Sequence, residues 1–244
     1  MKNILIPAFL AAGLFLTPQA QAVSFHDILK GVQIPAGSSR DDGTTVSGLK
    51  EALSVGTDRA VKSVSKMDGY FKDQAIKILM PEKIQKAADV LKMAGYSREV
   101  DDFVLSMNRA AEKAAPEAAA IFVDAIKQMS FEDAGKILNG ENTAATEYFK
   151  TKTSPRLLER FKPIVSTSMN EVGVTRSYKA MTEKYTSAAP FMKMESLDLD
   201  RYVTNKALEG LFFKLGQEEM SIRTNPAART TELLRKVFGQ SSAL

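Results

Sequence analysis

Cysteine and tryptophan are absent from this chain of 244 residues, and histidine occurs once, as His26. The missing thiols exclude a disulfide scaffold, a cysteine nucleophile, Cys-ligated zinc and iron–sulfur clusters. A single imidazole excludes any site built from two or more histidines of one chain. The motifs G-x-S-x-G, H-E-x-x-H, the P-loop and the Rossmann glycine pattern are missing as well, so no familiar nucleophile or nucleotide cradle is present. No cofactor and no metal ion are expected. Hydrophobic residues make up 44% and charged residues 25% of the chain, ordinary globular values that leave no room for a disordered or collagen-like reading.

What is there begins with an address. Residues 1–22 carry a basic Lys2, an apolar stretch Ile4–Leu16, the break Thr17-Pro18, and Ala20-Gln21-Ala22 in the small-x-small pattern of a cleavage site. The stretch is shorter than the roughly 18–20 apolar residues of a membrane-spanning helix. The expectation is a cleaved signal peptide, a mature chain from Val23, export, and residence in the periplasm. No cysteine follows the cleavage site, so lipid attachment there is excluded. Past residue 22 the basic and acidic residues number 32 and 29, and the small surplus lies in the second half of the chain. That is far from the clustered basic footprint of a nucleic-acid binder.

The remaining chain reads as helix after helix. Residues 23–44 form a short segment and linker rich in turn chemistry (Pro35, Gly37, Asp41-Asp42-Gly43). His26 lies in this segment and is expected to be solvated. Thr44 or Thr45 then caps a helix carrying Leu49, Leu53, Ala60, Val61 and Val64. Pro81 suits the first turn of the next helix and Gly95 its end. Ser97 opens a helix with Val100, Phe103, Val104, Met107, Ala111 and Ala114 inward. Pro116 begins another, through Met129. Ser130 with Asp133 has the look of a capped start, and Asn139-Gly140 of a turn.

Thr143–Lys152 is read as one helix, and Ser154-Pro155 as the cap and first residue of the next, which Pro163 should kink. A helix through Tyr178, Met181 and Tyr185 precedes Pro190. The longest candidate runs from about Asp198 to Arg223, and a final helix starts at Asn225-Pro226 and stops at Gly239. No stretch alternates with period two between hairpin turns. The fold expected is all-α, a bundle-like domain of about eight to ten helices over residues 45–239, with a tail at 240–244.

Two polar groups stand out as candidate binding residues. Asn108 flanks an apolar stripe where it can meet another helix, beside Arg109 and Glu112, which are three apart and can pair. Glu218, Glu219, Arg223, Asn225 and Arg229 gather where the last two helices join. There the arginines can lock the corner against the glutamates or hold an anion. Asp198 and Asp200 open the long helix, where a cap and a favourable dipole position account for them. An alternative reading, a carboxylate-dependent hydrolase, would draw its acids from Asp198, Asp200, Glu218 and Glu219. Glu218 and Glu219 point about 100° apart on a helix and cannot face each other. The methionines and phenylalanines suit core packing or an adaptable apolar pocket.

The segments Gly48–Thr57, Asp68-Gly-Tyr-Phe71, Asn108-Arg-Ala-Ala-Glu112 with Ala115-Pro116, Asp198–Thr204 and Asn225-Pro-Ala-Ala-Arg-Thr-Thr231 together resemble the bacterial family catalogued as domain of unknown function 4197. The resemblance spans roughly residues 45–239. It implies an exported, mainly helical bacterial protein and assigns no activity to any residue. The leading expectation is a non-enzymatic binding or scaffold domain of the envelope, which receives a protein partner or a lipid-like ligand in a groove or on a helix face.

Overall fold

Phe149, Thr153, Leu157, Phe161 and Val165 recur four residues apart, and all five are buried along one uninterrupted helix. The computed structural model describes residues 40–171, 173–188 and 198–239. Among them are nine α-helices, two short 3-10 turns and no β-strand. In chain order the helices are α1 (Arg40–Ser65), α2 (Glu82–Met93), α3 (Ser97–Ala114), α4 (Ala118–Gln128), α5 (Phe131–Leu138), α6 (Ala144–Glu171), α7 (Val174–Ala188), α8 (Leu199–Thr224) and α9 (Glu232–Gly239). The all-α expectation holds. The leader 1–22, His26, Pro190 and the tail 240–244 lie outside the described residues.

Several boundaries differ from the expected ones. Helix α1 starts at Arg40, ahead of the threonine caps, and runs straight through Asp41-Asp42-Gly43. Pro81 is the N-cap of α2 and not its first residue. Helix α3 does open at Ser97 as expected, after Tyr96, an N-cap that makes no side-chain bond. Asn225-Pro226 starts a 3-10 turn (Pro226–Ala228), and the last helix begins only at Glu232.

The largest difference is α6, at 28 residues the longest of the described helices, which fuses two expected ones across Pro155. Ser154 is not a cap there; its hydroxyl donates back to the Lys150 carbonyl at 2.6 Å. Proline removes the N–H that would serve the carbonyl four residues earlier. Pro155 and Pro163 both stand on the exposed face, as do Thr151 and Glu159, so water can serve the two freed carbonyls. Burial of the four-residue stripe outweighs the proline. Other starts were as expected: Ser130 and Asp133 form a reciprocal capping box, and Asp198 accepts the Arg201 N–H at 3.0 Å.

Helix α8 is the axis. Val203, Ala207, Leu208, Leu211, Phe212, Leu215 and Ile222 are buried on more than one side of it, as befits a helix with neighbours nearly all round. It packs against α6 and α1, and α1 in turn packs against α9 and α4. Helix α3 packs on α6 and α7, and α2 on α7. Phe122 of α4 joins three helices: its ring lies 5.1 Å from Phe149 of α6 and 6.2 Å from Phe212 of α8, both edge-on. Such pairs add about 0.5–1.5 kcal/mol each beyond the area they bury.

Between α1 and α2 the chain makes a non-helical excursion over residues 66–81. Tyr70 enters the core from it, fully buried, and its hydroxyl donates to the Ala207 carbonyl of α8 at 2.6 Å. Burial, with the charge of Glu112 second, pushes the phenol pKa well above its ordinary value, so it stays a neutral donor. This approach requires a glycine opposite: a Cβ on Gly210 would stand 2.7 Å from the Tyr70 ring and 3.1 Å from Ile76 Cβ. Gly210→Ala is therefore expected to destabilise the fold by about 1–3 kcal/mol through overpacking. A urea titration followed by circular dichroism measures it, and Gly135→Ala, where a Cβ meets nothing within 4 Å, serves as the control.

Candidate functional site

Asn108, Arg109 and Glu112 come together on α3, and what they grip is the excursion 66–81, not a helix. Asn108 is fully buried; its Oδ1 accepts the Ile78 N–H at 2.9 Å and its Nδ2 donates to the Ile78 carbonyl at 2.8 Å. Nδ2 also donates to the Val104 carbonyl, which uses both amide hydrogens. Glu112 Oε1 accepts the N–H groups of Tyr70 and Phe71 at 3.1 and 3.2 Å. Arg109 bridges Glu112 and Asp68, 2.6 Å from each. Asp68 has a left-handed backbone, φ 65°, a conformation that aspartate and asparagine tolerate better than most residues. Hydrogen bonds from Lys72 and then Arg109 hold its carboxyl below the usual aspartate range.

The second group divides. Glu219 is buried and caps α6 from a different helix: it accepts the N–H groups of Ala145 and Thr146 at 2.9 and 2.8 Å and the Thr146 hydroxyl at 2.8 Å. Arg223, one turn on, donates to Glu219 from Nε and Nη2 and also to the Ile137 carbonyl near the end of α5, at 2.7 Å. A carboxylate has about four lone-pair positions, and Glu219 receives five bonds. Arg229 pairs with neither Glu218 nor Glu219; it donates to the Ile222 and Arg223 carbonyls at 3.0 and 2.7 Å and so caps the end of α8. Asn225 caps the 3-10 turn through the Ala227 N–H, and Glu218 stands 3.8 Å from Arg59 of α1.

Asn108, Glu112 and Glu219 spend their polar capacity inside the molecule, while Asn225 is exposed and Glu218 half-buried. The hydrolase acids do not converge either: Asp198 and Asp200 open α8 while Glu218 and Glu219 lie about 30 Å further along it. No three acidic or histidine side chains among the described residues are grouped to hold a metal ion. No helix among the described residues is long and apolar enough to cross a membrane. A small apolar cavity lined by Leu49, Leu53, Ile137, Leu215, Ile222 and Phe238 holds only about 20 Å³, room for a water molecule and not for an acyl chain.

The open ground is on the exposed side of α8. One groove of about 460 Å³ lies between α8 (Tyr202, Lys206, Phe213) and residues 75–80 of the excursion. A second, of about 410 Å³, lies between α8 (Asn205, Phe213) and α6 (Lys150, Ser154, Leu158). Glu209 and Phe213 border both. Leu79, Phe213 and Leu158 are exposed here by 61%, 46% and 40%, far more than a core residue would be. Lys206 is paired with Glu209 at 2.6 Å, and Lys77 lies over the Phe71 ring at 4.2 Å.

A family of proteins of unknown function, DUF4197, matches residues 39–239. The chain belongs to this family. No curated protein and no solved structure matches it. Two of the segments that carry the family resemblance, Asp68-Gly-Tyr-Phe71 and Asn108-Arg-Ala-Ala-Glu112, bind one another, so in this member of the family they are joints of the scaffold. The residues of the open face escaped the sequence reading, although it offered a sign. Leu157-Leu158 and Leu211-Phe212-Phe213 are apolar runs on helices, and successive residues 100° apart cannot all face one neighbour.

Glu219→Ala would leave two N–H groups and a guanidinium without their acceptor, and is expected to cost about 3–5 kcal/mol in chemical denaturation. Asp68 is tested by pH. Its folded-state pKa is depressed, so its contribution is complete above the unfolded-state value of about 3.9 and is lost as pH falls from there through the folded-state value. Asp68→Asn should lower the melting temperature at pH 7, with the gap from wild type closing in strongly acidic solution. A gap that stays constant across the range would show that the charge contributes nothing.

Proposed function

We propose that the protein is a non-enzymatic interaction module of the bacterial envelope, exported by its leader, processed after Ala22 and resident in the periplasm. Its docking face is the outer side of α8 with the flanking Leu79 and Leu158. The single observation that carries this is the placement of three large apolar side chains, Leu79, Phe213 and Leu158, in the open around two adjoining grooves. Exposed apolar groups gathered in one place mark sites of association. The saturated bonding of Glu219 and Asn108 and the dispersal of the carboxylates support a binding role over a catalytic one. The apolar pocket beside Leu49, Leu215 and Phe238 is too small for an acyl chain, which supports a protein partner over a lipid at that place.

A photo-reactive residue in place of Phe213, introduced in the native host, should give discrete cross-linked species that the same group in place of the exposed Glu159 does not. Phe213→Asp should abolish partner capture while leaving the protein folded, at a stability loss of about 1–3 kcal/mol from the covered half of the ring. Cross-linking no different at the two positions would refute the docking face. Periplasmic fractionation and an intact mass beginning at Val23 check the location separately.

A further inference from the structure

Residues 77–80, past a turn that ends at Ile76, are neither helical nor turned, and burial alternates along them as in a β-strand. Ile76, Ile78 and Met80 are buried, while Lys77 and Leu79 turn outward. No strand lies beside them among the described residues. One edge is already taken: the Asn108 amide exchanges two hydrogen bonds with Ile78 N–H and C=O, as the backbone of a neighbouring strand would. In an extended chain the N–H and C=O of successive residues point to opposite edges. The polar groups of Leu79 and the carbonyl of Lys77 therefore face away from Asn108, toward α8. The Leu79 carbonyl bears this out by accepting the Tyr202 hydroxyl of α8 at 3.1 Å. On that edge the Leu79 N–H and the Lys77 C=O have no partner among the described residues, whereas the Lys77 N–H is tied back to the Asp73 carbonyl at 2.8 Å.

This edge borders the groove of about 460 Å³ whose far wall carries Tyr202, Lys206 and Phe213. We propose that the groove receives an extended peptide segment of a partner protein. The segment pairs with the Lys77 C=O and the Leu79 N–H through its own backbone and lays alternate apolar side chains against Leu79 and Phe213. A C=O and an N–H two residues apart on one edge are what a single residue of a parallel partner strand bonds on both of its sides. A helix, whose backbone groups are bonded internally, and an acyl chain, which has none, would each cover these two groups without pairing them, at a cost. Lys206 is paired with Glu209, and Lys77 and Glu82 add one charge of each sign, so the walls favour a segment without strong net charge at its centre.

The inference rests on the docking-face reading and is tested so that the two can fail separately. The purified protein is screened against a displayed library of random octapeptides, and the selected binders are resynthesised with N-methyl groups on alternate backbone amides. Leu79→Pro removes the unpaired N–H, while Leu79→Ala shortens the side chain and keeps it. Expected are binders lost with Phe213→Asp, weakened about five- to tenfold more by Leu79→Pro than by Leu79→Ala, and abolished by N-methylation in one register only. The N-methylated peptides keep the test decisive should Leu79→Pro fail to fold. Binders lost with Phe213→Asp but indifferent to N-methylation would overturn backbone pairing and leave the docking face standing. Absence of any peptide binder sensitive to Phe213→Asp, with vesicles of phosphatidylethanolamine and phosphatidylglycerol bound instead, would overturn both in favour of a lipid surface.

Discussion

Five hydrogen bonds converge on the carboxylate of Glu219, and through them three helices are held in one arrangement. The N-terminus of α6 brings two N–H groups and a hydroxyl, and Arg223 of α8 brings its guanidinium, which also reaches the last turn of α5. An N-terminal turn leaves N–H groups without partners in its own helix, and a negative charge placed there is favoured by the helix dipole as well. Here the cap comes from another element of the fold instead of the residue before the helix. The start of α6 is thereby set by the position of α8, and so is the line on which Leu158 stands beside Phe213. The groove between α6 and α8 inherits its shape from a buried ion pair one end away.

The other wall of the open face has an analogous support. Helix α3 holds the excursion 66–81 at three points, Asp68, the Tyr70–Phe71 amides and Ile78, and Tyr70 pins it to α8 against the bare backbone of Gly210. An irregular segment with many backbone groups would not stay extended on its own, since nothing in it bonds to itself over 78–81. It is kept so by side chains from a rigid helix. The grooves are thus bounded on both sides by parts that are fixed, which suits a site that meets a preformed partner surface or an extended chain with little rearrangement.

Much of this fold was legible in the residues. Val100, Phe103, Met107, Ala111 and Ala114 are buried as their spacing indicated, while Val104 of the same stripe is half-buried. Ile121, Phe122, Ala125 and Ile126 are buried too. Ser130 and Asp133 spelled out their cap. The miss at Ser154-Pro155 came from weighing a local signal above a longer one: the four-residue stripe from Phe149 to Val165 crosses the proline, and its exposed setting lets water take the freed carbonyl. Among the candidate polar residues, Arg109–Glu112 and Glu219–Arg223 pair as their spacings allowed. Their partners were not foreseeable, because Ile78, Ala145 and Ile137 offer backbone groups, which every residue has. The exposed face was hidden for a related reason. A leucine or phenylalanine announces burial in any one-dimensional reading, and only the packed structure shows which member of an apolar run is left outside.

The pairing of α1 with α8 and α9 bears on the order in which the molecule can be completed. Leu49 and Leu53, on the first described helix, share their pocket with Leu215, Ile222 and Phe238, near the other end of the described chain. A ribosome delivers the first helix long before the surfaces that cover it, so its apolar side must wait, bare, through the synthesis of nearly everything else. Contacts so distant along the chain slow folding compared with a bundle of neighbouring hairpins. A last described helix that closes over the first described one is a delay built into the topology.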